Sequence, residues 1–255
     1  MTRQMLLYER AVPLSKERHG DLWVAALGQY GFARGVNSVP VMATEIMAAA
    51  GDYAVVFARQ GEAVMPAVVL GLADGQNAYL DAEDRWQARY VPAFVRRYPF
   101  VFASNDGGQT FTLCIDEAFQ GCNRDGRGQR LFAEDGSQSP YLENVVAFVK
   151  QYQIEFNRTR AICERLQALD LFETMQATVK GSDGREVRLG GFLAIGRERL
   201  KGLEASVLAE LAKGDLLEMI HVHLHSLRHF QRLGEGILDA TPAPSPFDAP
   251  PAGHA

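Results

Sequence analysis

A stripe of apolar residues between positions 140 and 171 constrains the fold of this chain more than any other sequence feature. Thr159 fills one place in the stripe, and the other members recur at alternating spacings of three and four: Leu142, Val145, Val149, Tyr152, Phe156, Cys163 and Leu166. Because an α-helix turns once in about 3.6 residues, this spacing predicts one long amphipathic helix from about Pro140 to Leu171. We expect the stripe to pack on a sheet. The alternative is a coiled-coil-like seam with a second copy, which would make the protein a homo-oligomer.

Short β-branched runs predict strands on both sides of this helix. We expect them at residues 54–58, 67–71, 79–80, 100–103, 110–115, 178–179, 187–189 and 192–195. Runs 54–58 and 67–71, separated by Gly61 and neighbouring polar residues, are expected to pair. Glycine-containing turns at 74–75, 105–108 and 181–184 predict that neighbouring runs pair as antiparallel hairpins. Two further helices are expected near 204–212 and 216–233.

These elements predict an α+β fold, in which an antiparallel sheet is packed by the long helix and the C-terminal helices. We expect a single domain over residues 1–236. Residues 237–255 contain prolines at 242, 244, 246, 250 and 251, which oppose regular helix or sheet. The sequence therefore predicts a disordered Pro-rich tail.

The composition excludes several classes of protein. The net charge of −5 provides no broad positive surface, so we expect no nucleic-acid partner. No apolar run approaches the roughly 20 residues of a membrane span, and no export signal follows Arg3. The three cysteines, Cys114, Cys122 and Cys163, contain no CxxC pair, which is typical of a reducing compartment. We expect a cytoplasmic protein that does not span the membrane.

Aromatic and arginine residues are concentrated between Trp86 and Phe100, here called the 86–100 segment. Arginine binds carboxylates and stacks on aromatic rings, so this segment is a candidate surface for an anionic or aromatic ligand such as a peptide. The candidate binding residues are Trp86, Arg89, Tyr90, Arg96, Arg97 and Tyr98. The plainer interpretation is a helix whose aromatic side chains pack on the sheet while its arginines face water.

Histidines near the C-terminus provide an alternative site. If residues 216–233 form one helix, His221, His225 and His229 share a polar stripe near Glu218. A spacing of four residues allows two histidines to bind one metal ion, so a metal-dependent or protein-modifying enzyme is the alternative hypothesis. His223 falls beside the apolar face and is expected to be a hydrogen-bonded core residue.

Other catalytic patterns give little support for enzymatic chemistry. The sequence contains no GxSxG, GxxxxGK[ST] or HExxH motif, and we predict no cofactor. His19 is a candidate general base, although a single histidine without a partner is usually structural. Whether the protein is an enzyme is left undecided by the sequence.

The chain resembles the SapC family of the bacterial surface-array locus over about residues 8 to 233. The 86–100 segment is the most distinctive match. Further matching positions are Val12-Pro13-Leu14, His19, Val39-Pro40, Glu45, Tyr53 to Phe57, Gly71, Asn77, Leu131-Phe132, Gly136, Gly191-Phe192, Leu200, Leu203 and Gly214 to Leu227. The peptide-transporter permease of the same name is a different protein, and the lack of a membrane-spanning run excludes it.

The resemblance implies a soluble bacterial protein linked to surface-layer or outer-membrane biogenesis, but it implies no reaction and no catalytic residues. Together with the 86–100 segment, it predicts an accessory protein that binds a protein or peptide partner of cell-surface systems.

Overall fold

The computed structural model describes residues 5–104, 106, 108–180 and 186–235. These residues form α-helices and antiparallel strands, which confirms the predicted α+β class. They divide into two compact units: the first unit contains residues 5–28 and 95–154, and the second contains 29–94 and the described part of 155–235. That both units belong to one domain over 1–236 stays a prediction. The predicted turn at 181–184 and tail at 237–255 lie outside the described residues.

The β-strands differ in length. They are β1 (Ala11–Pro13), β2 (Trp23–Val24), β3 (Ser38–Pro40), β4 (Val55–Gln60), β5 (Ala63–Val69), β6 (Phe100–Ala103), β7 (Thr112–Asp116), β8 (Cys122–Asn123), β9 (Gln129–Arg130), β10 (Phe172–Lys180) and β11 (Glu186–Ile195).

One helix is much longer than the others. The α-helices are α1 (Lys16–His19), α2 (Ile46–Ala49), α3 (Ala93–Arg96), α4 (Pro140–Ala168), α5 (Arg197–Lys201), α6 (Ala205–Lys213), α7 (Leu216–Ser226) and α8 (His229–Glu235). Two 3₁₀ helices, Gly31–Ala33 and Ala43–Glu45, lie in the second unit. The long helix predicted from the apolar stripe is confirmed as α4.

The first unit combines two antiparallel sheets with the start of α4. In one sheet β7 lies between β1 and β6, and in the other β2 lies between β8 and β9. Leu142 and Val149 of α4 pack in one core with Phe100 of β6 and Ile115 of β7. Burial of each such side chain contributes about 1.5–3 kcal/mol. The expected packing of the helix stripe on a sheet is thus confirmed here, while homo-oligomer formation through α4 stays a prediction.

The second unit contains an antiparallel sheet in the order β10, β11, β4, β5, β3. The pairs Val56–Ala67 and Val179–Val187 confirm two predicted strand pairings. The predicted return of residues 79–80 along β5 is wrong. β5 has β4 on one edge and β3 on the other, so neither edge is open to residues 79–80. Leu80 instead forms an isolated bridge with Trp86.

Two helix predictions also need correction. The helix predicted over 216–233 is interrupted, because α7 ends at Ser226 and α8 begins at His229. In the 86–100 segment, only α3 is helical. Pro92 and Pro99 flank α3, and a proline both lacks the backbone N–H and disfavours helix at the residue before it.

Candidate functional site

The 86–100 segment is divided between the two units. Trp86, Arg89 and Tyr90 belong to the second unit, whereas Arg96, Arg97 and Tyr98 belong to the first. The structure therefore gives the six predicted binding residues two separate environments.

In the second unit, the segment is held by interior hydrogen bonds. Trp86 is 2% exposed and donates from Nε1 to the Tyr53 hydroxyl at 2.6 Å. The Tyr90 hydroxyl donates to Glu45 Oε1 at 2.7 Å. Arg89 is exposed and pairs with Asp52 at 3.0 Å. Trp86 and Tyr90 thus fix the segment in place, and of these three residues only Arg89 presents most of its side chain to solvent.

The carboxylates of Glu45 and Asp52 hold the second-unit part of the segment in place through hydrogen bonds. Glu45 also accepts the backbone N–H groups of Met42 and Ala93, at 2.8 and 2.7 Å. Asp52 accepts the backbone N–H groups of Arg89 and Tyr90, at 3.0 and 3.2 Å. Each carboxylate satisfies N–H groups in irregular segments or at the start of a helix, which stabilises this path of the chain.

In the first unit, arginines of the segment lie against aromatic rings. Arg97 is 3% exposed, and its guanidinium lies 4.6 Å from the ring centroid of Tyr152 and 5.9 Å from that of Tyr8. The Arg96 guanidinium lies 5.4 Å from the centroid of the Phe148 ring. Cation–π attraction and the planar stacking of arginine favour these arrangements.

A buried carboxylate anchors the residue next to these arginines. Asp116 accepts the backbone N–H groups of Glu9 and Arg10, at 2.8 and 2.9 Å, and that of Ala118 at 3.0 Å. The Tyr98 hydroxyl donates to the same carboxylate at 3.3 Å. Burial and the Asp116 charge raise the pKa of Tyr98 far above its usual value, so the phenol remains a donor.

A cleft of about 320 Å³ lies beside this part of the segment. The segment contributes Arg96, Arg97, Tyr98 and Phe100 to its wall. Helix α4 contributes residues spaced by three and four positions, which share one helix face: Tyr141, Asn144, Val145, Phe148 and Val149. All of these residues belong to the first unit.

The cleft wall combines positive charge with apolar surface. Of the nine described residues that line it, two are arginines and none is acidic. Phe100, Tyr141 and Phe148 supply aromatic rings, and Val145 and Val149 supply aliphatic groups. This combination suits a ligand that carries an apolar group close to an anionic one.

The sequence predicts the segment side of this cleft but little of the helix side. Val145 and Val149 belong to the predicted apolar stripe, whereas no motif marks Tyr141, Asn144 and Phe148 as site residues. Their spacing is the only local signal that they share a face. Nothing in the linear sequence indicates that this face lies beside residues 96–100.

The structure separates the histidines of the alternative metal site. His221, His225 and Glu218 are exposed on α7. His229 begins α8, is 1% exposed, and donates from Nε2 to the Ala50 carbonyl at 2.9 Å. The stripe of three imidazoles expected from one continuous helix is therefore not formed. Within the described residues, no group of three or more His, Cys, Asp and Glu side chains is arranged to hold a metal ion.

His223 is a core residue, as the sequence predicts. It is fully buried, its Nδ1 lies 2.9 Å from the Val55 carbonyl oxygen, and its Nε2 accepts the Ile195 N–H at 3.1 Å. The tautomer with the proton on Nδ1 satisfies both bonds. Burial lowers the pKa of His223 to about 4, so the ring is neutral at pH 7.

His19, the other histidine considered for catalysis, is also buried. Its Nε2 lies 3.2 Å from Glu117 Oε1, and its Nδ1 lies 3.2 Å from the Ser15 backbone nitrogen. Glu117 also accepts two hydrogen bonds from Arg18, at 2.5 and 2.7 Å. The Arg18 guanidinium lowers the pKa of Glu117 to about 2. With both ring nitrogens engaged and little surface exposed, His19 holds the start of α1 in place.

Comparison with known protein families gives one clear result, since the SapC family model matches residues 14–233. The chain belongs to the SapC family. In this SapC-family protein, the matched region contains the whole 86–100 segment and the α4 face of the cleft. No curated protein and no solved structure gives a significant match. None of the helices formed by the described residues combines the length and hydropathy needed to cross a bilayer.

Proposed function

We propose that this SapC-family protein is an accessory protein that binds a peptide segment and serves surface-layer or outer-membrane biogenesis in bacteria. The cleft beside Arg96 and Arg97 carries the binding part of this proposal. The family membership supports the link to cell-surface systems.

The chemistry of the cleft supports binding of a chain segment. Pockets that bind small ligands usually enclose about 300–1,000 Å³, so a cleft of about 320 Å³ accommodates one or two residues of a peptide. Apolar walls favour burial of a side chain, and arginines orient a nearby anionic group.

Selection from a random peptide library with the purified full-length protein tests the proposal. We expect enrichment of peptides that bind the cleft. Arg96→Met removes the charge but retains a long apolar side chain against Phe148, and it should weaken binding of the enriched peptides about tenfold or more. Asn144→Trp should block the cleft from an exposed position of α4.

The matched control is Arg160→Met. Arg160 is exposed on α4 beyond the cleft and pairs with Glu164 at 3.6 Å, so its loss removes one charge and leaves the cleft intact. Circular dichroism and thermal melting establish that all variants are folded. Enrichment of no peptide, or wild-type affinity in both cleft variants, contradicts the proposal. For the cellular part, the enriched peptides should match segments of cell-surface proteins.

A further inference from the structure

We infer that the cleft binds the carboxy-terminal residue of a peptide, with its free carboxylate at Arg96 and an apolar last side chain between Phe100 and the α4 face. This inference rests on the proposed peptide-binding function and specifies its ligand.

The charge of the cleft wall complements a carboxylate. Arg96 and Arg97 both line the cleft. Arg97 is 3% exposed against Tyr152 and contributes positive charge, whereas Arg96 is half-buried and carries the more accessible guanidinium. A guanidinium presents parallel N–H donors that match the two oxygens of a carboxylate. None of the described lining residues is acidic.

Positive charge and apolar surface lie close together in the cleft wall. The Arg96 guanidinium is 5.4 Å from the centroid of the Phe148 ring, and Phe148 itself lines the cleft. A ligand must therefore place its carboxylate within about one side-chain length of its apolar group. A carboxy-terminal residue does so because both groups are attached to the same Cα atom. An internal Asp or Glu carries its carboxylate on a different residue from the apolar side chain.

The size of the cleft fits one residue. Phe100, Tyr141 and Phe148 are among the residues that line a volume of about 320 Å³, near the lower limit for ligand pockets. Aromatic and branched side chains fill such a space and gain edge-to-face contacts with the rings. The volume suits one large side chain with its terminal carboxylate.

Asn144 distinguishes a peptide from a fatty-acid anion, which shares the combination of carboxylate and apolar chain. Asn144 is exposed and lies on the same α4 face as Tyr141 and Phe148. Its amide offers a donor and an acceptor, which match the C=O and N–H of a peptide group. An acyl chain has no polar group at that position, so we commit to a peptide terminus.

Fluorescence anisotropy with the full-length protein and synthetic peptides tests the inference. The probe is a peptide labelled at its amino terminus and ending in phenylalanine with a free carboxylate. Its matched partners carry a carboxy-terminal amide, a terminal aspartate in place of phenylalanine, or the phenylalanine at an internal position. We expect each change to weaken binding about tenfold to hundredfold, because a hydrogen-bonded charge or a buried ring is lost.

Asn144→Ala should weaken binding of the free-acid peptide. It should not change the affinity for decanoate, measured by displacement of the labelled peptide. Equal affinity for the acid and the amide would overturn the inference while leaving peptide binding, and thus the proposed function, intact. Stronger binding of decanoate than of the peptide would identify a fatty-acid site and would also overturn it. If none of these peptides binds, the inference fails; the proposed function fails as well if the library selection also enriches no peptide.

Discussion

Two buried polar residues, His223 and Asp116, are held by hydrogen bonds to backbone groups distant in the chain. His223 joins the Val55 carbonyl of β4 to the Ile195 N–H of β11 through one imidazole ring. Because the ring is neutral and fully enclosed, it acts as a hydrogen-bonding bridge in the second unit. In the first unit, the Asp116 carboxylate accepts hydrogen bonds from the backbone N–H groups of Glu9 and Arg10.

The bridge at His223 predicts a loss of stability in mild acid. The pKa is near 6.5 in the unfolded chain and about 4 in the folded one, so between these values the unfolded chain binds the extra proton. The stabilisation is complete above pH 6.5 and is lost as the pH falls toward 4. Urea unfolding should give a free energy of unfolding roughly 2 kcal/mol lower at pH 5 than at pH 7.

His223→Gln should remove most of this pH dependence, although the variant is less stable at both pH values. Ser226→Ala is the matched control. It removes a buried hydrogen bond from the same helix, namely the one accepted from the Val55 N–H at 3.0 Å, without removing a titrating group. A His223→Gln protein with the wild-type slope between pH 5 and pH 7 would exclude this role.

At the scale of elements, α4 shows both the strength and the limit of a sequence pattern. Its period alone predicts the helix and the burial of Leu142, Val149 and Leu166. Thr159 occupies a place in the stripe and is also fully buried. The spacing of the stripe does not show that the Thr159 hydroxyl accepts a hydrogen bond from the Ala43 N–H at 2.8 Å.

This bond predicts different effects of two substitutions at one position. Thr159→Val keeps the shape but leaves the Ala43 N–H without its partner, and it should lower the free energy of unfolding by about 1–3 kcal/mol. Thr159→Ser retains the hydroxyl, removes only a methyl group and should cost about 1 kcal/mol. Denaturant unfolding measures both. A valine variant as stable as the serine variant would show that the bond contributes little.

The elements that sequence reasoning missed depend on contacts distant in the chain. Hairpins such as 100–103 with 112–116 are local, because turn and strand signals lie side by side. The helix is interrupted at Leu227 and Arg228, and His229 beyond the interruption is buried and bonded to the Ala50 carbonyl, a contact that no local pattern reveals. The cleft likewise required the α4 face to meet residues 96–100. The local concentration of arginine and aromatic residues predicts the segment side of the candidate site, but no local pattern places Asn144 and Phe148 in it.

At the scale of the whole molecule, α4 contributes residues to both units, and we expect this shared helix to make their unfolding cooperative. Its residues up to 154 belong to the first unit and the remainder to the second. Leu142 is buried in the first unit, and Cys163 and Leu166 are buried in the second. Unfolding of either unit removes the packing that stabilises one part of this helix.

Differential scanning calorimetry should therefore give one transition for the full-length protein, with a calorimetric enthalpy equal to the van't Hoff enthalpy. This result would support the single domain predicted over 1–236. Two resolved transitions would show that the units unfold independently, as separate domains do.

The hydrogen bonds of Tyr8, Glu9 and Arg10 affect where the protein can be cut for laboratory work. The matched family region begins at residue 14, after all three. A fragment trimmed to that region would lose the hydrogen bond that the Tyr8 hydroxyl donates to the Phe100 carbonyl. It would also lose the two hydrogen bonds that the Glu9 and Arg10 N–H groups donate to the completely buried Asp116 carboxylate. The useful boundary of the folded protein therefore lies upstream of the boundary that family comparison suggests, and a shortened fragment that aggregates would not argue against the fold.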